Sequence, residues 1–276
     1  MPVFARVAHE IDIFFSFSRR DWSATIIPGS IFAVGAIAAS DLPPTTLVAR
    51  YLLFVCWLTL CLYFFNLSNQ ITGIDEDKIN KPDRPIPSGK ITLQGAQRRW
   101  VAAVSAFVSI APYEPSFLPQ TLSWIATTAF LCRTSYGNHW FGKNYIGMAM
   151  EGWAMLGVSW KAIAPVTPTS DARVYALAIC AAFTMHIQDL RDIKGDKAVG
   201  RKTLPLVFGD MGSRLIITFL ALPAACWILS LGGIFQLSPI TLGALHAILG
   251  YRVLRQGGPR YDHKTYMVGL SWLSFC

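Results

Sequence analysis

The sequence predicts an all-α fold, an integral membrane bundle of eight or nine transmembrane helices. Three observations carry this reading. Of 276 residues, 53% are hydrophobic and 14% charged, against about 25% charged in an ordinary soluble domain. The apolar residues are gathered into blocks near the length of about 20 residues that crosses about 30 Å of hydrocarbon. The Lys and Arg residues between these blocks fall almost entirely on alternate connections, as orientation in a bilayer requires.

The stretch before Trp22 reads as an interfacial amphipathic helix. Glu10 and Asp12 interrupt its apolar run, so a cleavable signal peptide is not expected there. Spans follow near 22–40, 45–69, 99–118, 120–132, 144–164, 172–188, 214–235, 237–254 and 265–276. The fourth is short and the ninth stops at Cys276. With a cytosolic N-terminus, every Lys and Arg except Arg50, Lys161 and Arg173 falls on the cytosolic side. The expected location is the endoplasmic reticulum or another internal membrane. Residues 1–276 are expected to form one membrane domain with pseudo-repeat halves near 22–132 and 144–276.

Net charge of +8 does not call for a nucleic-acid partner, because orientation already accounts for the basic loops. Cys56, Cys61, Cys132, Cys180, Cys226 and Cys276 form no Cys-x-x-Cys pair and have no companion histidines, which excludes a zinc ribbon or dithiol site. They read as small buried hydrophobes. GDKAVGRKT has Arg201 where a P-loop needs Lys, and no strand precedes it. Asn66-Leu67-Ser68 is a formal glycosylation sequon at the end of a span and is expected to be silent. His186, one turn before Asp189, reads as a packed helix residue.

The acidic residues are more telling. Asp75, Glu76, Asp77 and Asp83 follow the second span, and Asp189, Asp192, Asp196 and Asp210 follow the sixth. Superposing NQITGIDEDKINKPDRPIPSG on DLRDIKGDKAVGRKTLPLVFG, with Asp77 on Asp196, sets Gly73 opposite Asp192 and Asn69 within one residue of Asp189. This is a weak internal repeat. Residues four apart share a helix face, so Asp192 and Asp196 present two carboxylates to one point, a costly arrangement unless a cation lies between them. Hard oxygen ligands of this kind suit Mg²⁺, which is commonly shared between one or two carboxylates and substrate phosphates. With Lys and Arg interleaved, the two clusters read as a site for a diphosphate carried by metal ions. The alternative is solvated helix-terminal charge.

These residues resemble the UbiA superfamily of intramembrane prenyltransferases. The resemblance rests on Asn69 to Gly89, with NKPDRPIPSG intact, and on the DxxDxxGD run, and the span layout extends it over nearly the whole chain. In that family the first motif is usually Asn-Asp/Gln-x-x-Asp-x-x-x-Asp; Asn69 and Asp77 match, and Gly73 replaces the first aspartate. Asp189, Asp192 and Asp196 complete the second motif. The resemblance implies a helical bundle around a central cavity, Mg²⁺ held by Asn69, Asp77, Asp189, Asp192 and Asp196, and an isoprenyl diphosphate whose tail lies at membrane level. It also implies a Lys-Asn pair, here Lys143 and Asn144, near the diphosphate.

Arg84 and Lys202 flank the motifs as further diphosphate-binding candidates, with an orienting role as the alternative. Asp75 and Glu76 are open as substitutes for the missing aspartate. Glu151, about two turns into the fifth span, is an expensive ionisable group and so a functional candidate; a hydrogen bond to a neighbouring helix explains it equally well. Trp22, Tyr63, Phe64, Phe65, Trp153, Trp160, Phe183 and Tyr266 are candidates for stabilising a carbocation through their faces, although each is ordinary packing when taken singly. Gly73 in Asn-Gln-x-x-Gly resembles the fungal terpene cyclases of the UbiA type more than the quinone and chlorophyll branches. Expected activities are therefore Mg²⁺-dependent ionisation of a prenyl diphosphate followed by cyclisation, or transfer of the prenyl group to a lipophilic acceptor. A transporter is the alternative outside enzymes, but its acids should lie in the middle of spans rather than at helix ends.

Overall fold

A computed structural model describes residues 3–275, which are helical with turns and one isolated β-bridge. In order the α-helices are α1 (Val3–Ser18), α2 (Ile26–Ala38), α3 (Pro44–Thr72), α4 (Ile74–Asn80), α5 (Leu93–Val108), α6 (Ile110–Tyr113) and α7 (Leu118–Arg133). Then come α8 (Met148–Lys161), α9 (Pro168–Thr184), α10 (His186–Ala198), α11 (Leu204–Phe208), α12 (Asp210–Ile216), α13 (Leu222–Leu231), α14 (Pro239–Leu254) and α15 (Pro259–Phe275).

Two continuous helical stretches are long and apolar enough to cross a membrane, Pro44–Thr72 and Asp210–Leu231. Two bent pairs meet the same test together: α1 and its 3₁₀ extension with α2, at 56°, and the α5–α6 and α7 segments, at 120°. The remaining apolar blocks are broken into shorter helices. Pro168 and Pro239 start α9 and α14 at positions where a missing amide hydrogen costs nothing, and a π-turn over Phe141–Gly147 precedes α8. Large apolar side chains point outward along several helices, among them Val48, Leu52, Phe219, Leu220, Trp227 and Ile240. Water would penalise such a surface; hydrocarbon does not.

The bundle is centred on α8, which packs against α2, α7 and α9. Trp57 on α3 is fully buried and donates from Nε1 to Thr121 Oγ1 at 2.9 Å, while Trp124 on α7 donates to the Cys61 carbonyl at 3.1 Å. Each indole thus fills the core and satisfies its own donor across the same helix pair. Cys61 and Cys180 are buried as expected, whereas Cys56 is exposed and Cys132 and Cys226 are intermediate. Cys276 lies outside the described residues. The three basic exceptions sit at helix ends remote in sequence from the acidic motifs: Arg50 pairs with Glu114, Lys161 bonds Ser116 and Gln120, and Arg173 lies in the first turns of α9.

A second core joins α10 to α12–α15 through Ile187, Leu190, Ile217, Leu249, Val253 and Leu270. At its edge Arg214 and Asp262, each about 2% exposed at the side chain, form a bidentate pair at 2.9 and 2.8 Å. Arg214 also meets the half-exposed Asp210 at 2.8 Å and the Val253 carbonyl at 2.7 Å, so losing Asp262 removes its buried partner without leaving it unpaired. Asp262→Ala is expected to destabilise the folded protein by about 1.5–3 kcal/mol, the range for hydrogen bonds to a charged group, read as a lower unfolding temperature in detergent, with the Asp262→Ala/Arg214→Met double variant recovering much of the loss.

Candidate active site

The two motifs meet because α4 packs on α10. α3 ends at Thr72, Gly73 turns the chain, and α4 begins with three acids in its first turn, where the helix dipole favours them. Asn80, the last residue of α4, donates to the Asp192 carbonyl at 3.4 Å and accepts from the Gly195 amide at 3.1 Å. A Cβ at Gly195 would stand 2.1 Å from Asn80 Nδ2. This crossing needs glycine because the Asn80 amide occupies the side-chain position.

Around the crossing, each acid has a basic partner. Asp77 receives Arg84 Nη1 at 2.8 Å on both oxygens. Lys143 Nζ meets Asp189 Oδ1 at 2.7 Å, and Asn144 Nδ2 donates to Asp189 Oδ2 at 2.8 Å. Asp192 lies 3.3 Å from Arg191 and 3.9 Å from Lys81. Arg201 bridges the two acidic clusters, reaching Glu76 at 2.7 Å and Asp196 at 3.3 Å. Gly200, with φ +71°, reverses the chain after α10 and turns Arg201 back toward the motif.

Burial pushes the Asp192 carboxyl up, but Lys81, Arg191 and Lys143 outweigh it and hold the group below its usual value. Asp196 is pushed up to about 6, by burial first, with Lys143 and Arg201 opposing. Burial also raises Asp77 despite Arg84 and lowers Lys81.

These groups surround the mouth of a cavity of about 1070 Å³ that runs down between α2, α3, α8 and α9. Among the sequence-predicted residues, Asn69, Arg84, Lys143, Asn144 and Asp192 line it. Asp77, Asp189 and Asp196 do not; they are at most 2% exposed and stand behind Arg84, Lys143 and Arg201, fixing those cations in place. Lys202 is exposed and away from the cavity. Its backbone instead pairs with Asn138 and Trp140, at 2.8 Å each, and so tethers the segment ahead of the π-turn that carries Lys143. Glu76, one of the two acids left open as a substitute, lines the mouth, and so do Lys81, Arg191 and Arg201, which the sequence did not mark as binding residues.

Deeper in, the lining is apolar and aromatic. Phe65 and Trp160 from the sequence candidates face the cavity there, joined by Phe32 and Trp124, while Tyr266 lines it beneath Arg191, whose guanidinium lies 4.5 Å from the ring centroid. Tyr63 packs on Phe14, Phe64 on Trp100, and Phe183 on Tyr145; these three, with Trp22 and Trp153, are absent from the lining. Glu151 also lines it, with Oε1 buried and without a hydrogen-bond partner, and both amide atoms of Asn66 are likewise unpartnered. His186 is 1% exposed, bonded to Asn144 at 2.9 Å and ringed by Trp140 and Tyr145.

The UbiA prenyltransferase family matches residues 27–274. Diterpene cyclase eriG of Hericium erinaceus is 76% identical over 97% of this chain and 87% of its own length. Polyprenyl transferase eriF of the same organism is also 76% identical, over 97% of this chain and 93% of its own. Among solved structures, a UbiA homolog from Archaeoglobus fulgidus bound to GPP and Mg²⁺ superposes with a TM-score of 0.72 at 13% identity, covering 95% of this chain and 97% of that one. From its matched span, its relatives and its helical bundle, this chain is a member of the UbiA family of membrane-embedded enzymes.

Proposed function

We propose that the protein ionises an isoprenyl diphosphate at the charged mouth and cyclises the resulting carbocation in the apolar cavity. The observation that carries this reading is the division of one cavity into two environments. Its mouth holds Lys81, Arg84, Lys143 and Arg201 beside Asn69, Glu76 and Asp192, and its interior is lined by Phe32, Phe65, Trp124 and Trp160. A prenyl diphosphate has the same two parts.

The mouth also fits Mg²⁺. Among the described residues no three acidic, His or Cys side chains converge as a ready-made cage, and Mg²⁺ ordinarily needs only one or two carboxylates beside phosphate oxygens and water. Asp192 faces the cavity, and Oδ2 of Asp196 is buried without a hydrogen-bond partner, an acceptor that a cation would satisfy. Asn69 and Asp192, with the unpartnered Oδ2 of Asp196, would hold the ion, which would supply charge neutralisation of the departing diphosphate. Mg²⁺ accompanies GPP in the Archaeoglobus homolog of the same fold.

In the reaction, Lys81, Arg84, Lys143 and Arg201 receive the diphosphate oxygens. Their paired carboxylates keep them fixed before substrate arrives, so little reorganisation is needed as negative charge develops. The allylic C–O bond breaks with its electron pair leaving on pyrophosphate. The aromatic lining faces the cation and excludes water. A double bond of the same chain then closes on the cationic carbon, which moves the charge to the far carbon of that bond, and loss of a proton from the neighbouring carbon to the released pyrophosphate leaves a neutral cyclic alkene. At roughly 30 Å³ per heavy atom, the share of one water in the liquid, a twenty-carbon diphosphate needs about 900 Å³, which the 1070 Å³ cavity accommodates. The orientation proposed places the basic mouth toward the cytosol from an internal membrane.

A second reading, transfer of the prenyl group to a lipophilic acceptor, is supported by equal identity to a cyclase and a transferase. One experiment separates the two. Membranes containing the protein are incubated with Mg²⁺ and geranyl, farnesyl or geranylgeranyl diphosphate, with and without phenolic acceptors. A cyclic terpene formed without acceptor, and abolished by EDTA, is the expected result. Prenylated phenol with no cyclic product in its absence would establish the transferase reading, and undiminished activity in excess chelator would overturn the metal-assisted scheme.

A further inference from the structure

The first motif carries glycine at position 73, where the second carries Asp192, and the local geometry shows what stands in its place. Gly73 has φ −100° and ψ 24°, a negative φ accessible to L residues, so the backbone does not demand glycine. A Cβ built there would lie 3.0 Å from the Asn69 carbonyl oxygen and 3.9 Å from Oε2 of Glu76. Glu76, three residues on, folds its carboxylate back over the glycine, into the region a side chain at 73 would enter. It is 7% exposed, lines the cavity, and is gripped by Arg201 at 2.7 Å. An aspartate at 73 beside Glu76 would crowd two like charges into one small volume. Asp75 is different: its side chain is 85% exposed and paired with Lys78 at 2.8 Å.

We infer that Glu76 supplies, from about one helical turn later, the first-half carboxylate toward the divalent metal that the motif lacks at position 73. The inference rests on the metal–diphosphate reading of the mouth. A second observation concerns the acid that shares Arg201 with Glu76. Arg201 joins Glu76 to Asp196, and Oδ2 of Asp196 remains buried and unpartnered beside that bridge, an arrangement that buried acceptors rarely tolerate without a further donor or ion. Glu76 Oε2 stands at contact distance, 3.9 Å, from where a Cβ at 73 would be, so its carboxylate occupies the reach of a longer side chain at that position.

The test is a positional exchange. Mn²⁺ binding to the full chain, purified in detergent with inorganic pyrophosphate, is followed by the electron paramagnetic resonance of free Mn²⁺. Glu76→Gln keeps the shape and a hydrogen bond to Arg201, and is expected to weaken Mn²⁺ about 10–100-fold, the usual effect of losing a group at a metal site. Adding Gly73→Asp to Glu76→Gln restores most of that loss, and Asp75→Asn leaves binding unchanged. The Mg²⁺ concentration giving half-maximal pyrophosphate release follows the same order. Wild-type Mn²⁺ affinity in Glu76→Gln, or a loss that Gly73→Asp leaves unrepaired, overturns the assignment. Asp192→Asn separates this from failure of the metal reading itself: if it loses Mn²⁺ while Glu76→Gln does not, only Glu76 is misassigned, and if neither loses it, the metal site is elsewhere.

Discussion

Asp192→Ala is expected to lower pyrophosphate release about 10²–10³-fold, the range seen when one preorganised group facing developing charge is removed, while leaving the unfolding temperature nearly unchanged. The reason for this split is position. Asp192 faces the cavity and is touched only at its rim by Arg191 at 3.3 Å and Lys81 at 3.9 Å, both long side chains that can re-solvate in the space vacated. Its carboxyl is held ionised by those same cations, so what the alanine removes is a negative charge available to a metal ion rather than a packing contact. Asn at the same position keeps the shape and should lose almost as much activity. Retention of most turnover in both variants would remove Asp192 from the chemistry.

The sequence disclosed the elements that depend on repetition and pattern. Apolar blocks separated by basic connections gave a helical membrane bundle, and two acidic runs of matching spacing marked the mouth that α4 and α10 build together. It did not disclose which acids face the cavity. Asp77, Asp189 and Asp196 read as metal ligands by motif, yet they stand behind Arg84, Lys143 and Arg201; helical spacing places residues on a face but says nothing of which neighbour intervenes. The sequence alone does not distinguish Arg201 from its neighbour Lys202, because both sit in a basic loop and only the reversal at Gly200 turns one of them inward. Asn66 reads in the sequence only as part of a sequon, and its significance lies in an unpartnered amide facing a cavity, which is a property of packing. Gly195 carried no signal at all until the Asn80 side chain was seen filling its missing Cβ.

The Lys143–Asp189 pair offers the sharpest separation of structural from chemical roles. Asp189 is fully buried, and its two oxygens are met by Lys143 at 2.7 Å and Asn144 at 2.8 Å. Lys143→Met leaves that carboxylate with the amide alone, and stranding a buried charge in this way costs about 3–5 kcal/mol. The single variant should therefore unfold at a markedly lower temperature and show no turnover, a result that by itself does not tell whether the lysine binds substrate or only neutralises Asp189. Asp189→Asn in the same background removes the stranded charge while keeping a side chain of the same shape beside Asn144. The double variant is expected to recover most of the stability. It is not expected to recover turnover, because Lys143 reaches the cavity mouth and its positive charge, not its partner's comfort, is what a departing diphosphate requires. Unfolding temperature and pyrophosphate release measured on the same four proteins give the answer directly: a double variant that is both stable and active would reduce Lys143 to a strut for Asp189 and leave Arg84 and Arg201 as the cations that receive the leaving group.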